Sequence, residues 1–226
     1  MHIEPGIVDG AKMALGYASG AAVAAYSLKL AWDSVKKDGV IALGIRSLIV
    51  TVLVFCFFQV LPHYPVGVSE VHFILGATLF LMFGAAPAAI GLALGLLAQG
   101  LLFAPADLPQ YGINTTTLLV PLMAVSALAQ RIIPANTAYK DVSYKQCLAL
   151  STAFQGGVIA WVAFWAFYGQ GFGAENLVSV GSFSVAYLTV IIIEPILDVA
   201  ILAVAKSLHQ LKDSKVFHQR LYKAVA

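Results

Sequence analysis

Long apolar stretches separated by short polar segments are the dominant pattern in this chain. A transmembrane helix needs about 20 predominantly apolar residues, and seven stretches approach that length. Gly84 and Pro87 interrupt the nearly continuous third and fourth stretches, which predicts a tight hairpin between them. The pattern therefore predicts an all-α membrane protein, a polytopic bundle of about seven transmembrane helices. The seven stretches are 10–31, 40–61, 71–88, 88–104, 114–133, 147–168 and 182–205.

The composition excludes a soluble protein. Of the 226 residues, 60% are hydrophobic and 11% are charged, whereas a soluble domain carries about 25% charged residues. Disorder is excluded as well, because disordered chains are poor in apolar residues. A net charge of +2 without a basic face argues against nucleic acid as a partner. The sequence also lacks a P-loop motif, so energy for uphill transport has to come from a partner or from an ion gradient.

Positively charged residues mark alternate loops of the chain. Loops 62–70, 105–113 and 169–181 contain no Lys or Arg, whereas 12 of the 13 Lys and Arg residues lie in or beside the other loops and the C-terminal tail. Because positive residues favour the cytoplasmic side, we expect the N-terminus outside and the C-terminus in the cytoplasm. The chain then divides into an N-terminal segment, a seven-helix domain and a basic cytoplasmic tail, at residues 1–9, 10–205 and 206–226.

The start of the chain has the chemistry of a chelator. It lacks the basic and apolar regions of a cleavable signal peptide, which predicts that the amino group of Met1 is retained. That amine, the amide of His2 and the His2 imidazole can occupy three neighbouring corners of one plane, an arrangement that suits Ni(II), Cu(II) and Co(II). The other two histidines expected outside, His63 and His72, fall in one short loop and are candidates for a fourth donor. The alternative is an ordinary solvated start of the chain.

Four parts of the sequence resemble the CbiM/NikM family, the substrate-capture membrane components of energy-coupling factor transporters for cobalt and nickel. The most specific are the Met-His-Ile start followed by an acidic residue and glycine, and the Gly-x-Ser-x-x-His motif that opens residues 67–76. The loop has one residue more than the family pattern between Ser69 and His72, and Tyr187 stands where the family has histidine. The other similar segments are 99–103 with 111–114, and 187–194.

The resemblance implies a planar site of four nitrogen atoms. The donors would be the amine of Met1, the amide and imidazole of His2, and a loop histidine, for which His72 is favoured over His63. Ni(II) or Co(II) would be the transported substrate, and no organic cofactor is expected.

The resemblance also suggests side chains that orient the metal-binding loop. These are Ser69, Gln99 and Asn114. For Asn114 there is an alternative interpretation, since it opens the fifth apolar stretch and could be a helix N-cap.

A subunit of this kind is not an enzyme and needs partners. The family implies a transmembrane coupling subunit, two cytoplasmic ATPase subunits and a small accessory membrane subunit. It also implies a location in the bacterial cytoplasmic (inner) membrane and a role in supplying metal for cobalamin biosynthesis. An intramembrane hydrolase around Ser69 and His72 is disfavoured because the sequence offers no third catalytic partner.

Charged residues inside the predicted spans need a separate explanation, because a charge in a bilayer is costly. At 1.5 Å per residue, Arg46 lies about 10 Å into the second span from its cytoplasmic end. Measured from the same side, Asp198 and Glu194 lie about 10 and 16 Å into the seventh span. The matching depth predicts a buried ion pair. The alternative is a proton or cation relay, in which these residues would drive an ion-gradient-driven secondary cation transporter.

Overall fold

Seven α-helices make up most of residues 3–211, the part of the chain that the computed structural model describes. Between the second and third helices the described chain also forms a two-stranded antiparallel sheet, β1 Tyr64–Val66 and β2 Ser69–Val71, which the all-α prediction did not include. The helices are α1 Met13–Asp38, α2 Val40–Gln59, α3 Gly76–Phe83, α4 Ala85–Leu102, α5 Tyr111–Ile132, α6 Tyr144–Gln170 and α7 Ala174–Leu211.

Five segments of the described chain are long and apolar enough to cross a membrane. They are α2, α4, α6, most of α7, and α5 together with the 3₁₀ turn Pro105–Gln110 that precedes it. Large apolar side chains such as Leu28, Ile41 and Leu48 are exposed on the outside of the bundle, as expected for a surface in contact with lipid. The prediction of seven helices is confirmed, whereas seven spans and the sidedness of the termini stay predictions.

The third apolar stretch, predicted as a helix over 71–88, is a different structure. Residues 72–75 are not helical, and α3 has only 8 residues, or about 12 Å of helix. The amides of Ile74 and Leu75 donate to the carboxylate of Glu194 on α7 instead of entering a helix. The predicted break is confirmed at Gly84, whose positive φ of 94° ends α3 and begins α4.

Small residues bring the helices of the bundle close together. Gly91 and Gly95 of α4 lie directly against Val50 and Val54 of α2, and a Cβ atom at either glycine would collide with these valines. The two helices therefore run parallel in close contact, the packing that small residues permit in membrane proteins.

The N-terminal segment and the three loops without Lys or Arg lie at the same end of the bundle. Gln110 donates to the carbonyl of Glu4, and Gln170 donates to the carbonyl of Gly6. We call this end, formed by residues 3–9 and the three loops, the loop end.

The ion pair predicted between Arg46 and the acids of α7 is wrong. Arg46 pairs with Asp38 at 2.6 Å, and its side chain is 41% exposed. Glu194 and Asp198 are fully buried. Glu194 bonds to the turn before α3 and to Gln155 of α6, and Asp198 bonds to Thr78 of α3. Equal depth in the membrane was the basis of the prediction, but depth does not determine which faces of two helices meet.

Candidate metal centre

The β-hairpin holds the loop histidine at the loop end of the bundle. Val66 pairs with Ser69 across the turn, and Gly67 in the turn has a positive φ of 61°, which favours glycine. The turn packs on α7 so closely that a Cβ atom at Gly67 would collide with the carbonyl oxygen of Ser179. His72 follows directly after β2, so its position is determined by a strand that is fixed on one side by α7.

His72 is buried and oriented by a carboxylate. It is 1% exposed, and its Nε2 lies 2.8 Å from Oε2 of Glu70. The ring also packs against Phe58, with 5.2 Å between ring centroids. When the Nε2–H group of a neutral imidazole donates to a carboxylate, the lone pair is on Nδ1, and this is the usual arrangement of a metal-binding histidine.

The second candidate histidine is stacked on the first. His63 lies 5.1 Å from His72 between ring centroids, with only 13° between the ring planes. Its Nδ1 is 3.1 Å from the carbonyl oxygen of Leu61, to which it donates. The structure thus brings the two loop histidines together and gives each a different hydrogen-bond acceptor.

The chain start is docked against the hairpin. Ile3 forms an antiparallel bridge with Ser69, and the amide of Glu4 donates to the carbonyl of Val68 at 3.1 Å. The amide of Ile3 donates to Oδ1 of Asn114 at 2.8 Å, and Ile3 is 0% exposed. Residue 3 is therefore fixed by the hairpin on one side and by α5 on the other.

Two of the three residues expected to orient the metal-binding loop contact this segment, Ser69 through its backbone and Asn114 through its side chain. Ser69 and Asn114 bond or pair with Ile3, whereas Gln99 is buried on α4 and its Oε1 accepts no hydrogen bond from any described residue. The N-cap interpretation of Asn114 is wrong, because α5 begins at Tyr111 and Asn114 lies inside its first turn. Its side chain is therefore directed to the N-terminal segment and not to its own helix end.

Acidic side chains gather around the docked segment. Burial raises the pKa of the Glu4 carboxyl, and the carboxylates of Glu70 and Asp107 raise it further. Negative groups that raise one another's pKa favour the binding of a cation between them.

The remaining proposed ligands, Met1 and His2, lie outside the described residues. Within residues 3–211 no group of three or more His, Cys, Asp or Glu side chains could hold a metal ion. The sequence pattern did not identify Glu70 as the partner of His72. The available signal was the spacing Glu-x-His, which places both side chains on one face of an extended strand.

Comparisons with known proteins agree with the fold. Residues 2–210 match the model of the CbiM family, the cobalt uptake substrate-specific transmembrane region. A crystal structure described as a truncated transition metal transporter has a TM-score of 0.66 at 18% identity, covering 93% of this chain and 99% of that chain. A second, described as a transition metal transporter, has a TM-score of 0.65 at 20% identity, covering 98% of each chain. At these identities the two structures show the fold alone. The comparison with curated proteins gives no match.

Proposed function

The chain belongs to the CbiM family of cobalt uptake substrate-specific transmembrane regions, and on that premise we propose that it is the substrate-binding subunit of an energy-coupling factor transporter that captures Co(II) or Ni(II). It is an integral membrane protein of a transport family. The observation that supports the proposal best is the docking of Ile3 against Ser69 and Asn114. Consecutive Cα atoms are about 3.8 Å apart, so this docking limits how far His2 can be from Ser69.

In the proposed site four nitrogen atoms bind the metal. They are the amine of Met1, the amide and imidazole of His2, and Nδ1 of His72. The hydrogen bond from Nε2 of His72 to Glu70 supports this assignment, because it leaves the lone pair on Nδ1 and increases the basicity of the ring. Four nitrogen donors in a plane suit Ni(II) and Co(II) better than Mg²⁺ or Ca²⁺, which prefer oxygen ligands.

His63 has a different role in this proposal. It stacks on His72 and fixes the plane of that ring, while its own Nδ1–H donates to the Leu61 carbonyl. Loss of the His63 ring should therefore loosen the site without removing a donor atom.

Transport requires partners in this proposal. A transmembrane coupling subunit, two cytoplasmic ATPase subunits and a small accessory membrane subunit would supply the energy and the movement, and this chain would not be catalytic. The alternative of an ion-gradient-driven secondary transporter loses one of its three charged residues, because Arg46 pairs with Asp38.

The test is metal titration of the purified full chain with its native N-terminus. An alanine inserted before Met1 converts the metal-binding amine into an amide, so we expect Co(II) and Ni(II) binding to be lost while the bundle stays folded. A nitrogen donor contributes several kcal/mol to metal binding, a large share of the roughly 10–16 kcal/mol found for a structural zinc site. His2→Ala should match the insertion, and a C-terminal tag should leave binding unchanged.

The loop histidines provide a matched pair of variants in the same titration. His72→Ala should weaken binding more than His63→Ala, because only the first removes a donor atom. X-ray absorption at the Co and Ni edges then reports the number of nitrogen ligands. Unchanged metal affinity in the N-terminally extended protein would refute the amine as a ligand.

A further inference from the structure

Two acidic side chains lie in the interior of the bundle, one helical turn apart on α7. Glu194 and Asp198 are both 0% exposed. Neither bonds to a Lys or Arg side chain within the described part of the chain, where Arg46 pairs with Asp38 and Lys206 donates to the carbonyl of Lys140. Two ionised carboxylates this close in an apolar interior are unfavourable, so we expect them to hold a proton between them.

The hydrogen bonds around Glu194 favour its ionised form. Its carboxylate accepts from the amides of Ile74 and Leu75, the latter at 3.0 Å, and from Nε2 of Gln155. The Gln155 side chain is itself oriented by Tyr187, whose hydroxyl donates to Oε1 at 2.6 Å. Three N–H donors stabilise a negatively charged carboxylate, and they bind a neutral, protonated acid less strongly.

Asp198 is surrounded mainly by hydroxyl groups, those of Thr78 and Ser151, together with the Thr78 amide. A hydroxyl can accept a hydrogen bond from a protonated acid as well as donate to a carboxylate, which the N–H donors around Glu194 cannot do. Oδ1 accepts from the hydroxyl of Thr78 at 2.5 Å, while Oδ2 has no hydrogen-bond partner among the described residues. The other titratable groups that face the pair are Tyr187, Cys147 and Tyr139, and none of them is a cation. Asp198 is therefore the member of the pair that carries the proton.

The bonds to Glu194 hold an unusual turn. Leu75 has φ 52° and ψ 34°, a left-handed conformation that is unfavourable for any residue with a Cβ atom, because Cβ comes too close to the following carbonyl oxygen. The turn connects His72 to α3, and its amides at 74 and 75 both donate to Glu194. The ionised carboxylate thus stabilises the conformation of the backbone that follows the loop histidine.

We propose that Glu194 and Asp198 form an intramembrane proton-binding site that controls the turn at residues 74–75. In the state described here Glu194 is ionised, Asp198 is protonated and the turn is held. Transfer of the proton breaks the O–H bond on Asp198 and forms one on Glu194, with no change in oxidation state. The three N–H donors then face a neutral acid, their bonds weaken, and the turn is released. The effect on metal affinity rests on the proposed function, whereas the proton site does not.

Hydrogen exchange of the full-length protein in detergent tests the control of the turn without any metal. Glu194→Gln keeps the shape of the side chain but removes its charge, so the amides of Ile74 and Leu75 should exchange at least tenfold faster. Glu175→Gln, at the exposed start of the same helix, is the matched control and should leave the exchange unchanged. Tyr187→Phe should give a smaller change in the same direction, and it provides the test if Glu194→Gln does not fold.

Infrared difference spectroscopy tests the proton itself. The native protein at neutral pH should show the carbonyl band of a buried carboxylic acid, which Asp198→Asn should remove and Glu194→Gln should leave in place. A band that persists in Asp198→Asn, or equal exchange at 74–75 in the Glu194→Gln and Glu175→Gln variants, would overturn the proposal. Both measurements are made without metal, so they do not depend on whether the N-terminally extended protein binds metal. The proton site and the metal site can therefore be refuted independently of each other.

Discussion

Replacement of Asn114 by alanine should weaken metal binding although Asn114 is not a proposed ligand. The substitution removes the acceptor of the Ile3 amide, which is bonded at 2.8 Å and is fully buried. A buried donor left without an acceptor costs about 1–3 kcal/mol. Undocking of residues 3–4 relieves that cost, and metal binding then has to restore the docked state.

The expected loss of affinity follows from that cost. At about 1.4 kcal/mol for each factor of ten, 1–3 kcal/mol corresponds to a Kd raised about 5- to 150-fold. Gln110→Ala is a graded comparison, because its Nε2 donates to the carbonyl of Glu4 over a longer distance of 3.3 Å. Gln110→Ala should raise the Kd less than Asn114→Ala.

Calorimetric titration of Co(II) and Ni(II) into both variants measures the effect, and thermal unfolding in detergent is the control for the bundle. An Asn114→Ala protein that binds metal as tightly as the native chain would refute the link between docking of Ile3 and metal capture. A lower Tm with unchanged Kd would show that the hydrogen bond serves stability alone.

Three further predictions concern the same end of the bundle. Gly169→Ala places a Cβ atom against the carbonyl oxygen of Ile7 and should displace the N-terminal segment, lowering metal affinity in titration, whereas Gly156→Ala on the same helix meets no atom within 4 Å and should leave affinity unchanged. Glu70→Gln should reduce metal affinity about 10- to 100-fold in the same assay, since a carboxylate that orients a ligating histidine typically contributes that much. Acidification should weaken binding, because the metal displaces protons from an amine with an ordinary pKa near 8 and from imidazole. Titrations between pH 6 and 8 with equal affinity throughout would contradict nitrogen donors of this type.

The helices were predictable because their apolar stretches exceed the length of a core strand. The exception is instructive: Phe73, Ile74 and Leu75 are as apolar as the helix that follows them, so hydropathy predicted one continuous span. What stops the helix is Glu194, which is 119 positions from Leu75 in the chain and accepts the amides that a helix would have used. No local pattern contains that contact.

The sequence predicts a candidate site where the signal lies in neighbouring residues. The Met-His start and the Ser-x-x-His motif predict the two parts of the proposed site, and the bridge between Ile3 and Ser69 brings the residue after the Met-His start to the hairpin. Asn114 could be read as a helix cap because only the structure shows that α5 begins three residues earlier. The charged pairs were the least predictable. Arg46 of α2 pairs with Asp38 at the end of α1, the neighbouring helix in the chain, and not with an acid of α7.

The docked segment, the hairpin and the turn after it form one connected path through the protein. Ile3 pairs with Ser69, the hairpin continues to His72, and the turn at Leu75 is held by Glu194. Coupling between two binding events is reciprocal. If ionised Glu194 favours the backbone that positions His72, then a metal bound to His72 favours ionised Glu194 by the same free energy. On these two proposals, protonation of Glu194 would weaken the metal site by the same free energy by which the bound metal opposes that protonation, and this would favour release of the ion.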